Sequence, residues 1–118
     1  MRFMLLIYQN ENSISEAEWK QCLDESLKLA HELHAKGQFV SASPLHPTPT
    51  ASSVRIRDGR RMVTDGPFAE THEHLGGYYI VDVETRNDAV AIAERIPGAA
   101  RGTVEVRQIM DVADLPKA

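Results

Sequence analysis

The stretch from Asp65 to Tyr78 holds the densest group of side chains that can move protons. It reads Asp-Gly-Pro-Phe-Ala-Glu-Thr-His-Glu-His-Leu-Gly-Gly-Tyr. Asp65 precedes Gly66 and Pro67, so its carboxylate can accept backbone N–H groups of a turn, which would fix its direction. A general base needs a fixed position first. Asp65 is therefore the predicted proton acceptor, with a plain turn-capping role as the alternative.

Three further groups in this stretch can act with Asp65. In a helical turn Glu70 would share one side with Glu73 and also with His74, so that two carboxylates and an imidazole converge. We therefore predict that Glu73 and His74 are catalytic with Asp65, and that Glu70 contacts the substrate. The alternative is that both glutamates are solvated or pair with nearby arginines.

The other predicted substrate contacts are aromatic, histidine and glycine residues. They are Tyr8, His46, Phe68, His72, Gly76, Gly77 and Tyr78. The two glycines would let a ligand or another backbone approach closely, or would mark a bulge in a strand. His72 and His74 lack a third ligand at a recognised metal spacing, so no metal is expected. The sequence contains no phosphate-binding glycine loop, and no cofactor is expected.

Composition limits the partners of this chain. It has 118 residues, a formal net charge of -4 and a pI near 5.7, which gives no general attraction to nucleic acid or anionic lipid. The apolar run from Phe3 to Tyr8 is too short to cross a bilayer, and no signal-peptide pattern precedes it. We expect a cytoplasmic protein without a membrane segment. Cys22 is the only cysteine, which excludes an intramolecular disulfide, and a buried helix position is expected for it.

The first half of the chain predicts a buried strand followed by a helix. Arg2 to Tyr8 is apolar at nearly every position, as in a central strand covered on both faces. Ser15 and Glu18 form a capping-box pattern at the start of a helix over about 16–36. The inward stripe of this helix is predicted to consist of Trp19, Cys22, Leu23, Leu27, Ala30 and Leu33.

The remaining elements follow from turn and cap signals. Asp58 and Gly59 suit a tight hairpin turn, and Thr85 can cap a second helix whose apolar face is Ala89, Ile92, Ala93 and Ile96. The predicted ranges are strands at 39–43, 54–57, 61–64, 78–83 and 103–109, a loop at 46–53, and a loose tail or dimer arm at 111–118.

This order predicts one α+β domain over 1–118, a ferredoxin-like split βαβ subunit with a hairpin insertion. Two helices cover one sheet face in that topology, whereas the first strand offers apolar side chains to both. We expect a second copy to cover the other face, giving a homodimer.

The motif Asp65-Gly66-Pro67-Phe68, followed by two glutamates and Leu75-Gly76-Gly77-Tyr78, resembles the signature of DGPF proteins in the YCII-related family. The match extends to the opening Met4 to Tyr8 and the closing Val104 to Arg107. The resemblance implies a dimeric α+β barrel related to small barrel enzymes that act on small organic molecules. It also implies a link with extracytoplasmic-function sigma factors, which are often encoded beside DGPF proteins. His72 departs from the family pattern, where lysine is usual.

Two functions remain open at this point. The first is a cofactor-independent acid/base enzyme, of isomerase or lyase type, in which Asp65 takes a proton, Glu73 or His74 donates one and Tyr78 orients the substrate. The second is a non-catalytic ligand-binding or regulatory homodimer, associated with a sigma-factor pathway. Both would use the same cleft.

Overall fold

A four-stranded antiparallel sheet forms the centre of the computed structural model, which describes residues 1–68 and 72–117. Its helices and strands, in chain order, are β1 (Arg2–Gln9), α1 (Glu16–Ala35), β2 (Phe39–Pro44), β3 (Ser52–Arg57), β4 (Arg60–Asp65), β5 (His74–Asp82), α2 (Arg86–Ala93), α3 (Gly98–Arg101) and β6 (Gly102–Gln108). Two short 3-10 turns lie at Glu11–Ser13 and Thr48–Thr50. The predicted α+β class is confirmed.

The strand order in the main sheet is β2-β5-β1-β6, and β3 and β4 form a separate two-stranded ribbon. This is the order of the predicted split βαβ arrangement, with the ribbon inserted between β2 and β5. β1 pairs with β5 on one side and with β6 on the other, so it is central as its apolar sequence predicted.

The helix-facing side of the sheet carries the core. Phe3 and Leu5 of β1 are almost fully buried, as are Tyr79 and Val81, their pairing partners on β5. The predicted apolar face of the second helix is confirmed, because all four of its residues are buried.

α1 starts where the capping box predicted. Ser15 accepts a hydrogen bond from the Glu18 backbone N–H, and the Glu18 carboxylate accepts one from the Ser15 N–H. The prediction that the whole α1 stripe is buried is wrong. Leu33 is buried, whereas Trp19 and Leu27 are 47% and 52% exposed, and Cys22 is half-buried rather than buried. Most of the stripe therefore faces an open space instead of packed side chains.

β5 starts four residues earlier than predicted, at His74 instead of Tyr78. Its pairing with β1 shifts between Ile7 and Tyr8, where Gly76 is the extra residue of a bulge. A Cβ at Gly77 would lie 2.9 Å from the Ser43 carbonyl oxygen. Gly77 therefore serves the close approach of β2, which is one of the alternatives that the sequence left open.

The β3–β4 ribbon stands apart from the core. Its turn has φ angles of 51° at Asp58 and 73° at Gly59, as the predicted hairpin requires. Nearly every residue of both strands is exposed, including Val54 and Ile56 at 64% and 65%.

The opposite side of the sheet carries no helix in the described part of the chain. We call it the open face. Its side chains include Met4, Leu6, Tyr8, Tyr78 and Ile80, all of which are half-buried. After β6 the chain contains no helix or strand up to Lys117, and the Arg2 guanidinium pairs with Asp111 in this tail.

Candidate functional site

A cavity of about 440 Å³ lies between α1 and the helix-facing side of the sheet. We call it the helix cavity. Its walls are Trp19, Leu23, Leu27 and Ala30 of α1, together with Phe39 of β2 and Ile96. The part of the α1 stripe that is missing from the core therefore lines this space. The volume falls within the ordinary range for small-molecule sites, about 300–1,000 Å³.

A hydrogen bond of the buried Tyr79 joins the two walls of the helix cavity. The Tyr79 hydroxyl donates a 2.6 Å hydrogen bond to the Ser26 carbonyl oxygen, which ties β5 to the middle of α1. Burial raises the pKa of Tyr79 above its ordinary value of 10. His31 and His34 also line the cavity, and both are exposed; His34 makes an edge-on contact with the ring of Phe39. The hydrogen bond between Tyr79 and Ser26 therefore fixes α1 relative to β5 at the cavity wall.

A second cavity of about 370 Å³ adjoins the first. We call it the loop cavity, because the loop from Leu45 to Pro49 forms one wall. Its lining includes four polar side chains, those of Glu11, Asn12, His46 and His74. Gln9, Trp19, Pro44 and Gly76 line both cavities, so the two form one continuous cleft.

Glu11 fixes the wall of the loop cavity. Its two carboxylate oxygens each lie 3.2 Å from the Thr48 backbone nitrogen, and the Thr48 hydroxyl donates to the same carboxylate. The Leu45 N–H also donates to the Gly76 carbonyl oxygen at 2.8 Å. These bonds hold the loop against β5 and the end of β1.

The structure does not bring Asp65 to this cleft. Asp65 is exposed at the end of β4, opposite Ser52. No backbone N–H of the described residues donates to the Asp65 carboxylate, and the turn continues into residues 69–71, which lie outside the described part of the chain. The Gly66 N–H donates to the Ala51 carbonyl oxygen at 2.7 Å. The turn itself is real, with a φ of 102° at Gly66.

Glu73 and His74 lie next to each other in sequence and have different surroundings. The Glu73 carboxylate accepts a 3.0 Å hydrogen bond from the Thr103 hydroxyl on β6. His74 lines the loop cavity, and its Nδ1 is buried with no hydrogen-bond partner among the described residues. His74 is part of a strand, so it is not in the predicted helical turn, and Glu70 lies outside the described residues.

The remaining predicted contacts fall in three places. His46, Gly76 and Gly77 lie at the cleft. Tyr8 and Tyr78 share the open face, and Tyr78 is also among the residues that line the helix cavity. The side chains of Ser41 and Ser43 beside Tyr78 lower the pKa of its hydroxyl. His72 is exposed, and Phe68 is 72% exposed with the Arg55 guanidinium 4.6 Å from its ring centre.

Sequence reasoning missed the helix cavity itself. Helical spacing shows which side chains share a face but not what that face contacts, so the α1 stripe predicts core packing even where a cavity lies beside it. The stripe, with the single tryptophan and three leucines, has the composition of a core-facing surface, so its residues gave no signal of the cavity. Within the described residues, no group of three or more His, Cys, Asp or Glu side chains could hold a metal ion.

The fold and the cleft define a small α+β protein with an apolar cavity between its first helix and its sheet. None of the helices in the described segments is long and apolar enough to cross a membrane.

Comparison with known proteins identifies the family of the chain. The YCII-related domain matches residues 1–113. An uncharacterized protein of Rhizobium meliloti (strain 1021) is 32% identical over 118 residues, covering 92% of each chain. The chain belongs to the YCII-related family.

Proposed function

We propose that this protein binds a small, largely apolar organic molecule in the helix cavity. The observation that carries the proposal is the exposed state of Trp19 and Leu27 on a helix whose neighbouring turn, at Leu29 and Leu33, is fully packed. Exposing large apolar side chains to water lowers stability, and each is worth about 1.5–3 kcal/mol when fully buried. A bound apolar molecule would recover part of that free energy.

The lining supports an uncharged ligand. Among the described residues, the helix cavity is lined by no Asp, Glu, Lys or Arg side chain. An ionic group would have to leave water without a partner there, which is costly. The cavity therefore favours neutral aromatic or aliphatic groups.

A thermal-shift screen of neutral metabolites tests the proposal. Ala30 is half-buried on the cavity wall, so Ala30→Leu places three additional carbon atoms in the space. Ala35→Leu is the matched control, because Ala35 is exposed at the end of the same helix and does not line the cavity. We expect hits that raise the melting temperature of the wild type and of Ala35→Leu but not of Ala30→Leu. Hits that stabilise all three equally would contradict the proposal.

Acid/base catalysis on the bound molecule is a second candidate, favoured by the buried Nδ1 of His74 at the loop cavity, which has no hydrogen-bond partner among the described residues. In this hypothesis Glu73 and His74 move protons, and Asp65 reaches the cleft only from a second copy of the chain. Asp65→Asn tests the role of that residue. Turnover of a screening hit that survives this change unaltered would remove Asp65 from the mechanism.

A homodimer is part of the same proposal. The half-buried apolar side chains of the open face, Met4, Leu6 and Ile80, support an interface with the sheet of a second copy.

Two more specific hypotheses build on this homodimer. The first is that the two sheets form a dimeric α+β barrel, and the second is that the homodimer has a regulatory role in a sigma-factor pathway. Pull-down of a sigma factor encoded beside the gene tests the second hypothesis, and no retention with either ligand-free or ligand-loaded protein would exclude it.

A further inference from the structure

The two cavities differ in what they offer a ligand, although they share four lining residues. The helix cavity presents mainly the apolar side chains of α1 and Phe39, whereas the loop cavity adds Glu11, His46 and His74. A molecule that extends from one into the other therefore meets apolar surface first and hydrogen-bonding groups at its end. Trp19 lies at the junction, since it lines both.

The polar end belongs in the loop cavity rather than at the rim of the helix cavity. His31 and His34 are exposed, so a ligand group gains little by exchanging water there. His74 is half-buried, and its Nδ1 is enclosed without a partner among the described residues. Because His74 lines the loop cavity and is partly shielded from water, a hydrogen bond between its imidazole and a bound group meets less competition from water there.

The charge of the lining restricts the polar end further. Across the described lining of both cavities there is no Lys or Arg, and the one carboxylate, that of Glu11, already accepts hydrogen bonds from Thr48. A carboxylate or phosphate on the ligand would have no fixed cation opposite it and would lie near Glu11. A hydroxyl or carbonyl group avoids this cost, and a hydroxyl can both donate to and accept from an imidazole.

We infer that the cleft takes a neutral molecule with an apolar body in the helix cavity and one hydroxyl or carbonyl end at His74 in the loop cavity. This inference rests on the proposed function, because it assumes that the helix cavity binds the apolar body. It names the chemical class of the ligand and makes His74 the residue that selects its polar end.

Three probes of one shape test the inference: propylbenzene, 4-propylphenol and 4-propylbenzoate. Dissociation constants are measured by protein-observed NMR, with the His74 ring resonances followed separately. We expect the phenol to bind roughly three- to tenfold more tightly than propylbenzene, the range of one net hydrogen bond. The benzoate should bind more weakly than the phenol.

The variants separate the role of His74 from a general effect on the fold. His74→Phe should remove the preference for the phenol while leaving propylbenzene binding unchanged. His74→Gln should keep part of the preference, because its amide still forms hydrogen bonds. Arg86→Phe is the control, since Arg86 is exposed and lines neither cavity, and it should behave as the wild type.

The outcomes distinguish the inference from the proposal beneath it. Equal affinity for propylbenzene and the phenol in the wild type, or a preference that survives in His74→Phe, would overturn the inference and leave apolar binding intact. If the benzoate bound more tightly than the phenol, the inference that the polar end of the ligand is neutral would be wrong. Failure of all three probes to bind would overturn the inference together with the proposed function.

Discussion

Tyr78 and Tyr79 are consecutive residues of β5 whose hydroxyls lie on opposite sides of the sheet. Ser41 and Ser43 beside Tyr78 lower its pKa, whereas burial raises that of Tyr79. We therefore predict that Tyr78 ionises before Tyr79 in an ultraviolet titration. Tyr78→Phe should remove an early step and Tyr79→Phe a late one. The reverse order would contradict the assignment of the two faces.

The raised pKa of Tyr79 also makes stability depend on pH. The folded state holds this proton more tightly than the unfolded chain, so the stabilisation is complete below the ordinary tyrosine pKa of 10 and is lost as the pH rises through the higher folded value. Urea unfolding should show that the free energy of unfolding of the wild type declines above pH 10, and that this decline is smaller in Tyr79→Phe. An equal decline in both proteins would exclude this contribution.

For single residues, the sequence predicted the local role of a side chain better than its location in the folded chain. It indicated that Gly76 and Gly77 mark a bulge or a close approach, and both occur. It placed Asp65 in the site on the strength of its neighbours Gly66 and Pro67. Those neighbours fix a local turn, but the direction of the whole β3–β4 ribbon decides where Asp65 lies, and no local pattern encodes that direction.

α1 is the element on which the site depends. Leu33 is 1% exposed and Leu27 is 52% exposed on the same helix. Leu33→Ala should therefore lower the free energy of unfolding by about 2–5 kcal/mol, and Leu27→Ala by less than about 1 kcal/mol. Urea unfolding measures both. Equal losses would show that Leu27 is packed and that the helix cavity is closed in solution.

The start of α1 is fixed by Glu18. Its hydrogen bond with Arg101 of α3, and next the Ser15 N–H, lower the pKa of Glu18 to about 2. The contribution of this carboxylate to stability is thus present above its ordinary pKa of 4.5 and is lost as the pH falls toward 2. We predict that Arg101→Gln raises the pKa of Glu18, measured by NMR of its side-chain carboxyl carbon. The exposed Arg86→Gln is the control and should leave that pKa unchanged.

The elements themselves were largely predictable because each has local signals. The capping box at Ser15, the Asp58-Gly59 turn and the Thr85 cap all act as predicted. The start of β5 was misplaced because glycines weaken strand propensity, so His74 to Gly77 lacked the β-branched residues that reveal a strand. Cross-strand pairing with β1 overrides this weakness.

The described chain is less compact than a typical single domain of the same length. Its radius of gyration is 16.0 Å, compared with about 13.5 Å for a compact domain of this size. The β3–β4 ribbon contributes to this, since nearly every residue of its two strands is exposed. A two-stranded ribbon is marginally stable by itself, so an exposed ribbon is compatible with the proposed homodimer, which the apolar character of β1 predicts and which stays a prediction.

The proposed dimer predicts a mass in solution of twice 13.1 kDa, measured by size-exclusion chromatography with light scattering. Ile80→Lys places a charge on the open face and should reduce the mass toward 13.1 kDa. Val90→Lys is the control, because Val90 is exposed on α2 on the other side of the sheet. A monomeric wild type, or a dimer that Ile80→Lys leaves intact, would contradict the interface.

The fluorescence of Trp19, the single tryptophan of the chain, tests the central account most directly, because Trp19 lines the helix cavity. Titration of propylbenzene should shift its emission to shorter wavelength, saturating at one molecule per chain in the wild type and in Ala35→Leu. Ala30→Leu should show a much weaker response. An emission that does not change, or that changes alike and without saturation in all three proteins, would mean that the space beneath α1 is not a binding site.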